Sequence, residues 1–188
     1  AWGTLRLARV RRRADPLEDP AWRDRAREVS RALGGPPRPR VRVSPEISVP
    51  LTTGVLRPAL LLPQEAVDEW SRARTDAVLV HELGHLARRD AATHVLARLA
   101  CAVYWFHPLA WKAAREAARE RERACDDLVL RAGTKASAYA RELLEIARET
   151  APRALRSAAS VSVARRSDLE GRVLSLLEDG ADRGPLSR

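Results

Sequence analysis

The stretch AVLVHELGHLARRD, residues 77–90, decides how the rest of the chain is interpreted. It holds two histidines four residues apart, His81 and His85, with Glu82 directly after the first. Residues at positions i and i+4 share one face of a helix, so both imidazoles can reach one metal ion. Glu82 is rotated by about 100° from His81, which suits a general base beside the metal. The stretch predicts a zinc-dependent hydrolase, and the alternative is an amphipathic helix that carries two histidines by chance.

A hydrolytic zinc site needs three protein ligands and a position open to water, so a third ligand must lie elsewhere in the chain. The segment RERERACDDLVL, residues 119–130, offers Glu122 and, one helical turn later, Asp126. An aspartate in that position suits a hydrogen bond to the far nitrogen of a ligand histidine. Glu116 and Glu120 are close by, and periodicity alone does not choose among the three glutamates.

Length and composition indicate one folded domain. The 188 residues are 45% hydrophobic and 31% charged, which excludes a wholly disordered chain. Because the chain contains no methionine, we expect it to be a piece of a longer protein. The net charge of +9 raises the question of nucleic-acid binding. We instead expect solvated helix faces, because many arginines adjoin glutamates and no nucleic-acid-binding module accompanies them. The acid-free stretch RLARVRRR, residues 6–13, instead suits a juxtamembrane segment on anionic lipid.

Several segments bear on the compartment. No stretch approaches the roughly 20 apolar residues of a membrane span, and no signal peptide opens the chain. Two cysteines, Cys101 and Cys125, are too few for a disulfide framework and favour a reducing compartment. The apolar run 95–111, broken by Arg98, favours a core helix over a membrane span, and such a helix would also suit contact with the membrane interface.

The order of elements predicts an α+β fold, mainly helical, with a small β-hairpin before the helix that carries the histidines. Asp19 and Pro20 start a short helix that ends at Gly34. Strands fall between residues 41 and 63, and the predicted later helices are 64–89, 90–105, 108–132, 136–149 and 167–178. The predicted domains are a basic juxtamembrane lead-in (1–15), a zinc metallopeptidase domain (16–180) and a tail (181–188).

The apolar run from Val55 to Leu62 is predicted as an edge strand, because Pro58 lacks an N–H for pairing. A protease holds its substrate extended, and an exposed strand edge offers main-chain hydrogen bonds for this. The predicted substrate-binding residues are therefore Val55, Leu56, Ala59 and Leu60.

Three ordered motifs resemble the peptidase domain of the BlaR/MecR antibiotic-sensor metallopeptidases. They are HELGH at 81–85, YWFHPLAW at 104–111 and ERACD at 122–126. The upstream SVPLTTGVLRPALLLP is similar to that family's strand hairpin, and YARELLEIAR and RRSDLEGRVLSLL are similar to its downstream helices. The resemblance covers about residues 40–178 and implies a gluzincin-like peptidase fold.

The resemblance implies that His81, His85 and Glu122 bind one Zn²⁺, that Glu82 is the general base, and that Asp126 supports a ligand histidine. It also implies a multi-pass bacterial membrane protein whose zinc domain, on the cytoplasmic side, hydrolyses peptide bonds of a regulatory protein. The expected partners are a protein or peptide substrate and flanking transmembrane helices, without nucleic acid, and a homodimer is left open. We expect the piece to retain zinc better than it retains turnover.

Two alternatives remain at this stage. The CAAX-prenyl-protease/HtpX group shares the zinc helix and the later Glu-x-x-x-Asp, although WFHPLAW and the Cys125-Asp126 pair favour BlaR/MecR. A scaffold that keeps the fold and signals by conformation is the second alternative.

The sequence also predicts roles for side chains outside the proposed set of metal ligands. Cys125 is predicted as a buried thiol that points away from the site, His107 as a helix cap, and His94 as structural. Tyr104 and Tyr139 are both able to stabilise an oxyanion, and the sequence does not choose between them.

Overall fold

The computed structural model describes residues 2–150 and 163–177. Within these residues the chain forms eight helices and four short strands. The helices are α1 (Trp2–Arg13), α2 (Pro20–Ala32), α3 (Gln64–Asp68), α4 (Arg72–Ala87), α5 (Asp90–Val103), α6 (Pro108–Arg131), α7 (Ala136–Thr150) and α8 (Val163–Leu177). The strands are β1 (Asp15–Pro16), β2 (Arg40–Ser44), β3 (Leu51–Thr53) and β4 (Ala59–Pro63). Helices dominate and the sheet precedes the histidine-bearing helix, so the predicted α+β class is confirmed.

The sheet has the strand order β1-β2-β4-β3, which places β4 in its interior. Strands β2 and β4 are parallel, while β1 and β3 pair antiparallel at the two edges. The predicted edge strand from Val55 to Leu62 is therefore wrong. The strand begins at Ala59, directly after Pro58, so the missing N–H of the proline lies outside the ladder. The edge next to β4 is β3.

Strand β4 is buried on both faces, which explains its unbroken apolar sequence. Leu60 and Leu62 belong to the main core with α4, while Leu61 packs on the opposite face against Val10 and Ala14. The described part of the predicted lead-in thus packs on the sheet, and Val10 is only 3% exposed.

The helix boundaries follow local capping. The Asp19 carboxylate accepts a hydrogen bond from the backbone N–H of Ala21 at 2.8 Å, and α2 ends before Gly34, whose φ of +67° suits glycine. The predicted single helix 64–89 is wrong, because the chain breaks at residues 69–71. Ser71 starts α4 as an N-cap that accepts from the Arg74 N–H at 3.2 Å. The end of the last predicted helix and the predicted tail lie outside the described residues.

Helix α4 is central, with Leu79, Leu83 and Leu86 buried in the main core. Helix α5 is different, since only Asp90 and Cys101 among its side chains are buried. The prediction of a core helix over 95–111 is therefore wrong for most of its apolar residues. In the described part of the chain, no helix is long and apolar enough to cross a membrane.

Candidate metal centre

Helices α4 and α6 pack closely, and this contact creates the site. Gly84, between the two histidines and facing α6, makes the close approach possible. A Cβ at this position would lie 2.9 Å from Leu128 Cδ1 and 3.3 Å from Cys125 Sγ. A larger side chain at residue 84 would require the Leu128 side chain to move, and Cys125 Sγ leaves little further room between α4 and α6.

Three side chains from the two helices converge. The Nε2 atom of His81 lies 3.6 Å from Glu122 Oε2, and that of His85 lies 3.8 Å from Glu122 Oε1. One ligand atom from each residue lies within 4.8 Å of the others. Of the three glutamates left open by periodicity, only Glu122 comes to the histidines, because Glu116 and Glu120 form exposed pairs with arginines of their own helix.

The other nitrogen of each imidazole faces a carboxylate. His81 Nδ1 lies 3.2 Å from Asp126 Oδ1, where the sequence analysis expected an aspartate. His85 Nδ1 lies 2.8 Å from Asp90 Oδ2, a partner that the sequence analysis missed. Asp90 is the first residue of α5, and helical periodicity does not extend across the break between α4 and α5. Both Nε2 atoms are thereby left facing Glu122.

Two further groups complete the network around Asp126. The Tyr139 hydroxyl lies 2.8 Å from Asp126 Oδ1, to which it donates, and 3.0 Å from His81 Nδ1. Arg172 of α8 donates to both Asp126 oxygens at 2.6–2.8 Å, and its Nη1 lies 3.3 Å from Glu122 Oε2. Arg172 was not predicted from the sequence, where its one signal is its position in the segment that resembles a family helix.

The electrostatics favour ionised carboxylates beside an easily protonated imidazole. Burial by itself lowers the pKa of His81, but hydrogen bonds with Asp126 and Glu122 raise this pKa to about 9. Burial by itself raises the pKa of Glu122, yet His81 and the Arg172 guanidinium lower this pKa to about 2. The pKa of Asp126 is held well below its usual range against the effect of burial, by His81 and Arg172. The cluster therefore has anionic oxygens ready for a cation at neutral pH.

Glu82 faces a cleft of about 590 Å³ that contains the three converging residues. Thr52 of the edge strand β3 donates a hydrogen bond to Glu82 Oε2 at 2.7 Å. Of the four predicted substrate-binding residues, Val55 lines this cleft, whereas Leu56 is 95% exposed outside the lining. Ala59 and Leu60 are buried in β4, so the structure does not bring them to the cleft.

Some of the other predicted side chains lie where the sequence indicated, and others do not. His107 caps α6 as predicted, accepting from the Leu109 N–H at 3.3 Å. Cys125 is buried as predicted but does not point away from the site, because its Sγ lies 3.3 Å from His85 Nδ1. Burial, reinforced by the Asp90 charge, raises the pKa of this thiol. His94 is exposed and lines the cleft, and Tyr104 is 55% exposed.

The sequence matches the family described as BlaR1 peptidase M56 over residues 1–176. The chain is 41% identical over 88 residues to the "Regulatory protein BlaR1" of Bacillus licheniformis. That alignment covers 47% of this chain and 14% of the relative, so the chain spans a small part of that protein's length.

Proposed function

The chain belongs to the BlaR1 peptidase M56 family of metallopeptidases, and from this premise we propose that it is a zinc-dependent endopeptidase domain. In this proposal His81, His85 and Glu122 hold one zinc ion, and Glu82 is the general base. The observation that carries the proposal is the convergence of these three ligand atoms within 4.8 Å, at a cleft that Glu82 also lines. Two imidazoles and a carboxylate are a donor set typical of hydrolytic zinc.

The bound ion would polarise the carbonyl of the scissile bond and lower the pKa of a water in its open position. Glu82 accepts the proton of the attacking water and passes it to the leaving amine. The hydrogen bond from Thr52 fixes the direction of the Glu82 carboxylate. Asp126 lies opposite Nδ1 of His81 and Asp90 lies opposite Nδ1 of His85, so a proton held on each Nδ1 leaves the Nε2 lone pairs for the metal.

We place the substrate along β3 instead of the run from Val55 to Leu62. Strand β3 is at the end of the described sheet, so its outer edge is available for an extended peptide. The residues of β3 line the cleft directly beside Glu82. The apolar side chains of Val78, Leu143 and Ile146 line the same cleft and suit an apolar side chain of the substrate.

The setting of the reaction is a further part of the proposal. We expect the substrate to be a regulatory protein, and the domain to work at the cytoplasmic face of the bacterial membrane. The similarity to the "Regulatory protein BlaR1" and the acid-free basic stretch 6–13 support this setting.

The test replaces Glu82 by glutamine, which keeps the size of the side chain but cannot accept the proton. With equal zinc content, cleavage of denatured casein by Glu82→Gln should fall by about 10²–10⁴-fold relative to the unchanged chain. Glu69→Gln, an exposed change outside the cleft, is the matched control and should leave both zinc content and cleavage unchanged.

Wild-type cleavage by Glu82→Gln would contradict the assignment of the base. Absence of cleavage by both the zinc-loaded chain and the full-length protein in detergent would favour the non-catalytic scaffold.

A further inference from the structure

The turn between α5 and α6 exposes a continuous run of large apolar side chains, here called the apolar elbow (residues 95–111). Trp105 is 71% exposed and Phe106 is 66% exposed. Other exposed apolar members are Val95, Leu96, Leu99, Val103, Tyr104, Leu109 and Trp111. Contiguous apolar surface of this kind marks a binding surface, because water solvates it poorly.

The apolar elbow is held in shape by its own contacts. The indole N–H of Trp111 donates to the backbone carbonyl of Trp105 at 2.9 Å. The rings of Trp105 and Phe106 meet edge to face with centroids 6.0 Å apart, and His107 caps the following helix. The exposed rings are therefore presented by an ordered turn.

The charges around the apolar elbow have one sign. From residue 91 to residue 115 the sequence contains no aspartate or glutamate, although the chain has 25 acidic residues. Arg98, Lys112 and Arg115 are exposed, and none of them has an ion-pair partner among residues 2–150 and 163–177. Further along α6, by contrast, Arg119 and Arg123 pair with glutamates.

We propose that the apolar elbow binds the surface of an anionic lipid bilayer. Trp105 and Phe106 enter the boundary between headgroups and acyl chains, and Arg98, Lys112 and Arg115 meet the lipid phosphates. Tryptophan and tyrosine favour that boundary, and cations beside an apolar face strengthen binding to anionic lipid.

The charges argue against a second copy of the chain on the same surface. A symmetric dimer through the apolar elbow would bring Arg98, Lys112 and Arg115 towards the same cations of its partner. Like charges brought together at an interface are unfavourable, whereas lipid phosphates neutralise them.

The apolar elbow is continuous with the cleft, because Val95 belongs to both. Lipid binding would hold this side of the cleft at the bilayer surface, where a substrate near the membrane would meet it. The lipid proposal does not depend on the proposed catalytic function, and its test needs no turnover.

The experiment is flotation of the 188-residue chain with vesicles of equal parts phosphatidylcholine and phosphatidylglycerol, and with vesicles of phosphatidylcholine alone. We expect preference for the anionic vesicles, and a fall in the partition coefficient of about tenfold or more for the double variant Trp105→Ser, Phe106→Ser. Leu174→Ser removes an apolar side chain on α8 that is 64% exposed, and it should bind as the unchanged chain does. Arg98→Gln with Lys112→Gln should weaken binding to the anionic vesicles alone.

Each other result overturns the proposal. Undiminished binding by the aromatic double variant would assign the binding to the arginines of α1. Equal binding of the unchanged chain to both vesicles would remove the anionic requirement. Conversion of a dimer into a monomer by the double variant, with unchanged vesicle binding, would show that the apolar elbow joins two copies.

Discussion

At the scale of single residues, the site depends on which nitrogen of each histidine is left for a metal. Asp126 and Asp90 face the Nδ1 atoms of His81 and His85, and both Nε2 atoms face Glu122. A ligand histidine is commonly oriented by a carboxylate in this way. The site thus includes carboxylates that face the outer nitrogens of the imidazoles, in addition to the three converging residues.

The raised pKa of His81 makes metal binding compete with protons. A metal binds the neutral imidazole. Because the pKa of His81 is about 9, a metal that binds at lower pH must displace a proton from this residue. The apparent zinc affinity should therefore rise by about tenfold per pH unit between pH 6 and 8, and level off near pH 9. Zinc titration calorimetry at pH 7, in two buffers of different ionisation enthalpy, should detect about one proton released by this group.

His107→Ala is the control for this titration, because His107 caps α6 on the apolar elbow and should not alter the proton count. Zinc binding at pH 7 without proton release would contradict the expected protonation of His81.

The convergence of His81, His85 and Glu122 could be predicted from sequence, because the histidines are one helical turn apart and Glu122 lies in a recognisable motif. Asp90 and Arg172 were out of reach for a physical reason. Asp90 reaches His85 through the reversal of the chain between two helices, and Arg172 comes from α8, far along the chain. Neither contact produces a spacing that periodicity detects.

At the scale of elements, the turn between α4 and α5 positions Asp90. Arg89 has φ +57° and ψ +37°, and it is the only described non-glycine residue with positive φ. A side chain with a Cβ costs about 1–2 kcal/mol in this left-handed region. The turn that brings Asp90 back to His85 therefore carries backbone strain.

Replacing Arg89 by glycine should relieve this strain. After the greater backbone entropy of glycine in the unfolded chain is subtracted, the free energy of unfolding should rise by roughly 0.5–1 kcal/mol. Urea unfolding of the metal-free chain measures the change. Arg115→Gly, within α6, should instead lower stability by about 1 kcal/mol. Equal destabilisation by the two variants would show that Arg89 is unstrained.

The predicted positions of two elements, β4 and the helix over residues 95–111, were wrong because an apolar segment is compatible with more than one environment. Pro58 indicated an edge strand, yet it immediately precedes β4, which pairs with β2 and β3 and whose second face is covered by α1. The run 95–111 looked like a core helix, yet most of its apolar side chains are exposed. Apolar composition identifies a surface that avoids water, but it does not say whether protein or another partner covers it.

At the scale of the whole molecule, the site joins distant parts of the chain. Thr52 comes from β3, the histidines from α4, Glu122 from α6, Tyr139 from α7 and Arg172 from α8. A metal held by His81, His85 and Glu122 would connect α4 to α6 directly and would engage the other elements through hydrogen bonds. Metal binding should therefore stabilise the fold as a unit.

Removal of the metal should lower the melting temperature. With free zinc at about one hundred times the dissociation constant, binding to the folded state contributes about 2.7 kcal/mol. For a chain of this size that corresponds to a shift of about 5–10 °C, measured by calorimetric melting with and without a chelator. Glu122→Ala should show almost none of this shift. A shift of the same size in Glu122→Ala would show that zinc stabilises the chain elsewhere.

The most direct test of the central claim is zinc titration calorimetry of the unchanged chain, Glu122→Ala and Glu120→Ala. The two glutamates are two positions apart on α6, and Glu120 is exposed beside Arg123. We predict one zinc ion per unchanged chain, a loss of affinity of about a hundredfold or more in Glu122→Ala, and no change in Glu120→Ala. Unchanged affinity in Glu122→Ala would contradict the account.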